Sequence, residues 1–387
     1  MKGHIRERSP GNWAIILDIR DPETGKRKRK WHSFKGTKRG AQKECARLIT
    51  EIQNGGYVES NKILMSDLLL RWIDHAKSQV TPKTHERYTE VVKKNLIPAL
   101  GGVHLTKLRP AQISAVYTKA LTSGRRDGKG GLAPATVVLM HRLLKKALKQ
   151  AVRWELTARN PAEAVDPPVV ERKGMNTYDL DQTIVLLDNL EKSRLLIPVM
   201  IAVLCGLRRG EIVALRWRHI DLANGSLTVS ESIEQTKEGV RTKVPKSGKG
   251  RVVTLPAMLT ARLRLFRVQQ AEELLAIGVR QTEATHLYTR EDGEPVQPRT
   301  LTQAWRTLAA SSDLPKIRLH DLRHAHATHM LAKGVHPKVA SERLGHSRVG
   351  ITMDLYSHVL PGMQEEAVAR VDEALSLALE KRPRSVG

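Results

Sequence analysis

The chain has 387 residues, with 65 Lys and Arg against 40 Asp and Glu, a formal net charge of +25 at pH 7. A charge of this size attracts polyanions, nucleic acid first and a membrane surface second. Two cysteines, Cys45 and Cys205, make neither a disulfide framework nor a Cys-rich metal site and fit a reducing cytoplasm.

The length predicts two or three domains, and with aromatics at 4% the cores must be built from aliphatic residues, which suits helices. No apolar h-region follows Lys2, Arg6, Glu7 and Arg8, so no secretory leader is expected. The longest apolar run, Leu195–Leu207 with Pro198 inside it, is shorter than the ~20 residues that span a bilayer and reads as a buried helix.

Residues 1–60 read as a small separate unit. Trp13–Ile19 is a strand-like run, Asp21–Gly25 a turn, and Lys26–Phe34 a second strand-like run. The second run opens on Lys26, Arg27, Lys28, Arg29 and Lys30. Thr37–Asn54 carries a helical pattern, with Gly55-Gly56 as its stop. A small sheet or hairpin bearing one helix follows. The basic run is read as a sheet face laid on DNA, against the alternatives of a solvated strand face or a localisation signal.

Residues 61–168 read as four helices. Ser66 is placed to cap the first, Pro82, Pro110 and Pro134 open the others, and Gly124–Gly131 is a flexible basic loop. The fourth helix sets Val138, Leu139, Leu143, Leu144, Ala147, Leu148 and Ala151 on one face, and Lys145 and Lys149 on a basic side that can track a DNA backbone. The Pro-rich stretch Asn160–Lys173 is read as a linker. In residues 169–387 a helical start gives way to strands at Ser226–Ser230, Arg241–Val244 and Arg251–Leu255, then to helices, closing on an apolar-striped helix, Met363–Leu379.

Four short segments of this last region hold the residues fit for chemistry. They are CGLRRGE with Arg208 and Glu211, the Gly-rich turn PKSGKG with Lys246, HDLRH with His320, Arg323 and His324, and LGH with His346, followed ten residues later by Tyr356. Two Arg, a Lys, His residues and a Tyr suit displacement at a phosphodiester. Guanidinium forks bind nonbridging oxygens bidentately, and each such donor is worth roughly 10²–10³ in rate. A mobile Lys can protonate the leaving oxygen. Tyr, with a reference pKa of about 10, needs a neighbouring base and cations to act as nucleophile. The product is a covalent phosphotyrosine ester that conserves the bond energy.

These boxes, in this order, resemble those of the tyrosine recombinase, or phage integrase, family. The resemblance implies a multidomain, mainly α chain: a small β-sheet plus helix that binds arm-type DNA sites (1–60), a four-helix core-binding domain (61–168), and a mixed α+β catalytic domain with a small antiparallel sheet and a C-terminal interaction helix (169–387). It assigns Arg208 and Arg323 to the scissile phosphate, Lys246 to the leaving 5′-oxygen, His320 to the nucleophile's proton, His346 to a phosphate hydrogen bond and Tyr356 to the attack. Glu211 and His324 support them. Lys243 and Lys249 compete with Lys246 for the acid role.

Cys205 and Ala325 depart from the family's usual Thr and Thr or Ser. The implied function is a site-specific recombinase that integrates and excises a mobile element without cofactor or metal. Its implied partners are duplex attachment sites, three further copies in a tetramer and, as an accessory, a host DNA-bending protein, with a cytoplasmic location and no membrane. A type IB topoisomerase, an Xer-like resolvase and a non-catalytic DNA-binding protein stand as alternatives. Zinc held by His320 and His324 is a further alternative, weakened by the lack of a third ligand at metal spacing.

Overall fold

The computed structural model describes residues 3–20, 27–53, 62–171, 176–244, 250–346, 348–350, 352–353, 368–369, 371–373 and 375–377. The chain divides into two compact units, Met1–Glu171 and Arg172–Gly387.

The first unit opens with an antiparallel sheet in the order β1 (Gly3–Ser9), β2 (Asn12–Arg20), β3 (Arg27–Lys35), covered by helix α1 (Lys38–Gln53). Ile15, Leu17, Cys45 and Leu48 form its core. Strand β1 escapes a reading of the sequence because GHIRERS has one aliphatic residue and four charged or imidazole groups, so no apolar alternation marks it.

The register fixes where the described part of the basic run, Arg27–Lys30, stands on the sheet. Lys28 and Lys30 stand opposite Ile19 and Leu17, whereas Arg27 and Arg29 stand opposite Arg20 and Asp18. Successive strand positions alternate between faces, and the Leu17 side is the one buried against α1. The exposed Arg29 pairs with Asp18 at 3.3 Å. Lys26 lies outside the described residues.

The same unit continues as helices α2 (Met65–Ala76), α3 (Pro82–Val91), a π turn at Val92–Leu96, α4 (Ile97–Leu100), α5 (Pro110–Ser123) and α6 (Pro134–Arg153) around a separate aliphatic core. Proline at the first position of α3, α5 and α6 costs no hydrogen bond, since those amides are unpaired in any helix. Ser66 is not the cap of α2: the helix starts at Met65, and the Asp67 carboxylate accepts from the Leu64 amide at 3.1 Å.

Helix α6 buries Leu143, Leu144, Ala147, Leu148 and Ala151 as expected and exposes Lys145 and Lys149, but at its start Val137, Met140 and His141 are the buried residues and Val138 and Leu139 are only partly covered. The Pro-rich linker begins later than its composition suggests. Asn160 accepts from the Ala162 amide at 3.1 Å and donates to the Lys145 carbonyl at 3.1 Å, and Ala162 and Val165 are buried in the helical core.

The second unit contains α7 (Leu180–Asn189), α8 (Leu196–Cys205), a single turn α9 (Arg209–Ile212), strands β4 (Ile220–Asp221), β5 (Ser226–Val229), β6 (Ser232–Thr236), β7 (Gly239–Lys243) and β8 (Arg251–Thr254), and helices α10 (Ala257–Ala276), α11 (Pro298–Ser311), α12 (Asp321–Ala332) and α13 (Pro337–Leu344). The expected buried helix is α8; Pro198 falls in its first turn and therefore breaks nothing.

Two small antiparallel sheets form, β4-β5-β8 and β6-β7. The strand read at Arg241–Val244 belongs to the second, paired with β6, which the sequence hides because SIEQT buries one residue, Ile233. Among the described residues no helix is long and apolar enough to cross a membrane.

Candidate active site

Helix α8 is apolar on every side and sits in the core of the second unit. It stops at Gly206, whose φ of +67° is open to glycine and strained for other residues. A side chain there would also meet Leu344 Cδ2 at 2.5 Å and His326 Cδ2 at 2.7 Å. This close approach brings the end of α8 against α12 and α13. Cys205 and Ala325, the two departures from the family pattern, are fully buried at this junction and serve as packing.

Two residues after Gly206 comes the first candidate arginine. Arg208 Nη1 lies 2.9 Å from Glu211 Oε1, the Arg208 amide donates to Glu211 Oε2 at 2.9 Å, and Arg208 Nη2 donates to the Gly345 carbonyl at 2.9 Å. Glu211 is 1% exposed and holds a second arginine, Arg251, at 2.7 and 3.2 Å. Burial pushes the Glu211 carboxyl up, but the hydrogen bond and charge of Arg251, with help from Arg208, hold it below the usual carboxylate range. It is ionised at neutral pH.

The second expected arginine, Arg323 on α12, is 2% exposed, and its fork is held by carbonyls rather than by a carboxylate. Its Nη1 donates to the Gly206 carbonyl at 2.5 Å and its Nη2 to the Leu344 carbonyl at 2.6 Å. Burying an isolated guanidinium costs several kcal/mol. The offset comes from carbonyls at the C-terminal ends of α8 and α13, where the helix dipole is negative. Burial, then repulsion from Arg208, lowers its pKa to about 9, so it stays charged at neutral pH.

Three consecutive carbonyls at the end of α13 thus each accept from a different arginine: Arg343 O from Arg251 Nε at 2.8 Å, Leu344 O from Arg323, and Gly345 O from Arg208. Gly345, at φ +64°, turns the chain so that this is possible. Three guanidiniums against one carboxylate leave the cluster cationic.

The imidazoles line up on the same feature. His346 follows Gly345 directly, with Nδ1 2.8 Å from Thr352 Oγ1. Desolvation, then the charges of Arg323 and Arg208, push it down to about 4. His320 stands exposed at the start of α12, its ring edge-on to that of His324 at 4.9 Å. Burial of its inner side, then His324 and Arg323, lower its pKa as well, and His324 shifts the same way. All three are neutral at neutral pH and able to take a proton.

The structure therefore gathers Arg208, Glu211, His320, Arg323, His324 and His346, while Lys246 and Tyr356 lie outside the described residues. Of the two competitors of Lys246, Lys249 also lies outside the described residues and Lys243 is paired with Glu234. His326 accepts from Arg343 Nε at 3.1 Å and His329 Nε2 lies 2.9 Å from the Tyr178 carbonyl, so both have structural partners. Among the described residues no three His, Cys, Asp or Glu form a metal site.

Two members of the cluster carry no mark in the sequence. Arg251 opens an ordinary-looking strand, RVVT, with no motif around it. Thr352, fully buried, gives no signal either. A recess of about 190 Å³ lined by Arg194, Leu196, Phe266 and Tyr288 includes none of the clustered residues. A duplex needs an open face rather than such a cavity.

Comparison with known proteins gives a consistent frame. Residues 177–362 match the phage integrase family, residues 64–121 the phage integrase N-terminal SAM-like domain, and residues 5–52 an arm DNA-binding domain. A tyrosine recombinase XerC-like protein of Caldanaerobacter subterraneus subsp. tengcongensis is 27% identical, covering 93% of this chain and 96% of its own. The ICEBs1 integrase of Bacillus subtilis is 25% identical, with 92% and 95% covered.

Among solved structures, the Tn1549 transposon integrase in complex with a circular intermediate DNA aligns with a TM-score of 0.68 at 17% identity, over 80% of this chain and 99% of that one. The lambda integrase tetramer bound to a Holliday junction aligns with a TM-score of 0.57 at 19% identity, over 89% and 95%. At these identities the structural likeness speaks for the fold.

Proposed function

The chain belongs to the phage integrase family of tyrosine recombinases, and from that premise we propose that it cuts and rejoins DNA at specific sites through a 3′-phosphotyrosine formed by Tyr356. The observation that carries the reading is the cationic cluster on the end of α13, where Arg208 and Arg323 are fixed by backbone carbonyls before any substrate arrives. Donors held in place in this way need no reorganisation as charge grows on a phosphate.

In the proposed cleavage the Tyr356 oxygen attacks phosphorus and the bond from phosphorus to the 5′-oxygen breaks. His320 takes the phenolic proton, and Lys246 supplies one to the departing 5′-oxygen. Arg208 and Arg323 hold the nonbridging oxygens. His346 meets the phosphate through Nε2, the ring nitrogen not turned to Thr352. Glu211 fixes Arg208, and His324 packs beside His320. Rejoining is the reverse, with the 5′-hydroxyl of a partner strand as attacker. The covalent ester preserves the bond energy, so no step calls for a nucleotide cofactor or a metal.

The assignment of residues 1–60 to arm-type sites, 61–168 to core sites and 169–387 to catalysis is supported by the positions of the three family matches. The arm match favours an integrase over a type IB topoisomerase or a chromosome-dimer resolvase, and the ICEBs1 relative favours a mobile element as cargo. The lambda tetramer on its junction supports four copies acting on two synapsed duplexes. In that assembly the segment Met363–Leu379, whose described residues are helical with Val368, Val371 and Leu375 exposed, packs on a neighbouring copy, and a host DNA-bending protein shapes the arm sites.

The test is a nicked duplex carrying the element's attachment site, so that religation is blocked. The protein should shift to a covalent adduct on a denaturing gel, and Tyr356→Phe should abolish it. Mixing two attachment-site duplexes should then give joined products, which a topoisomerase does not make. An adduct that survives Tyr356→Phe, or none with the native chain, overturns the proposal.

A further inference from the structure

We propose that Arg251 is a positioning residue for strand cleavage, one that sets Arg208 against the scissile phosphate by way of Glu211; this rests on the recombinase reading above. The geometry is a closed ring. Arg251 Nε donates to the Arg343 carbonyl at 2.8 Å, its two Nη atoms hold both oxygens of Glu211 at 3.2 and 2.7 Å, Glu211 accepts from the amide and Nη1 of Arg208 at 2.9 Å each, and Arg208 Nη2 returns to the Gly345 carbonyl at 2.9 Å. The ring starts and ends within three residues of one chain turn.

Without Arg251 the Glu211 carboxylate is held by Arg208 alone, through its amide and Nη1, so carboxylate and fork can tilt together as one unit. With Arg251 each oxygen gains a second donor that is itself tied to the Arg343 carbonyl, and the plane of the carboxylate is set against the end of α13. The Arg251 side chain is 9% exposed, and a side chain on Gly345 would meet it at 3.0–3.2 Å, so the guanidinium fills its slot without slack.

The fork matters as much as the charge. A lysine offers a point charge and cannot hold two carboxylate oxygens and a carbonyl in one plane. The residue also has a second hold on the site. It is the first residue of β8, paired with Val229, and lies five positions after Lys246 in the chain. The segment that bears the proposed general acid is therefore tied at its downstream end to the helix end that aligns the two phosphate-binding arginines.

The experiment uses the full chain on the nicked attachment-site duplex, comparing Arg251→Lys, Arg251→Met and Glu211→Gln. Single-turnover adduct formation and equilibrium duplex affinity are measured separately. Misplacement of a reacting group by about 1 Å costs on the order of 10²-fold. Arg251→Lys should accordingly slow adduct formation at saturating DNA by about 30-fold or more, with affinity changed less than about threefold. Arg251→Lys combined with Glu211→Gln should be no slower than the slower single variant, since both act through one ring.

Cleavage by Arg251→Lys within about threefold of the native rate overturns the proposal. So does a loss that lies in affinity rather than rate. Circular dichroism and thermal melting accompany each variant. If Arg251→Met fails to fold, Arg251→Lys decides, and if both fail the residue is an architectural one and the proposal falls. Failure of the native chain to form any adduct instead sinks the recombinase reading itself.

Discussion

The basic residues of β3 and those gathered at the end of α13 are the same chemical groups under opposite physical conditions. On β3, Arg29 is exposed and meets one carboxylate, Asp18, at 3.3 Å. Such a surface pair contributes on the order of 0–1 kcal/mol and leaves the side chain able to rotate toward a phosphate. At α13, Arg323 is almost wholly desolvated and each of its Nη atoms is committed to a carbonyl. Exposed cations give affinity that adapts to the partner and weakens with salt. Buried, fixed cations cost folding energy and provide alignment at the reacting centre. The contrast predicts that mutations in the two regions fail in different ways.

The largest effect belongs to Arg323→Lys. One ammonium cannot reach the Gly206 and Leu344 carbonyls and a phosphate together, so adduct formation should fall by roughly 10²–10³. Duplex affinity, set mostly by exposed residues, should change little. A variant that cleaves normally would show that the buried arginine is only architectural.

Next comes Glu211→Gln. It leaves the part-buried guanidiniums of Arg251 and Arg208 without the carboxylate that is buried between them, and removal of one partner of a buried ion pair costs about 3–5 kcal/mol. Urea denaturation of the second unit's transition reads this directly. A change under about 1 kcal/mol would mean that the cluster is far wetter than its burial indicates.

A smaller effect is expected on the other side of the comparison. Replacing Arg27, Lys28, Arg29 and Lys30 together by Ala should weaken arm-site binding by about tenfold at ~0.15 M salt. The slope of log affinity against log salt should shrink by ~0.9 for each phosphate no longer neutralised. Cleavage of a duplex holding only core sites should stay within about twofold. The register adds a refinement: Arg29 stands on the open side and Lys30 opposite the buried Leu17. Arg29→Ala should therefore account for more of the salt slope than Lys30→Ala.

The smallest effect is a near-absence of one. His346 is held down to about 4 and His320 is displaced in the same direction. A lowered value means that the neutral, proton-accepting ring persists to lower pH. Adduct formation should lose less than about twofold between pH 7.5 and 5.5 on their account. An imidazole at its ordinary value of about 6.5 would lose about tenfold at pH 5.5. A steep acid limb centred near 6.5 would show that the arginines do not press on these rings.

Much of this contrast is legible in the amino-acid order and some is not. The catalytic boxes stand out because each puts a charged or titratable residue beside a glycine or within an apolar run, where solvation alone does not explain it. Arg208, Arg323, His320 and His346 are visible in that way, and the structure brings them together. Arg251 stays hidden because a lone arginine at a strand start has no pattern; only the fold reveals that Glu211 needs it. The β3 run misleads in the other direction. Adjacent cations look like one surface, yet successive positions of a strand alternate between its faces. Strands β1 and β6 escape for a related reason, since polar edge-like strands lack the apolar rhythm by which strands are read.

The Arg343–Gly345 carbonyls have one more consequence. Their three arginines come from segments separated from them by 92, 21 and 137 residues. No fragment of the second unit can bring them into register before α8, β8, α12 and α13 have all docked. A nascent or heat-frayed chain can still cling to a chromosome through its surface cations, but it carries no assembled blade. The grip on a phosphate is therefore among the last things that the second unit's folding completes.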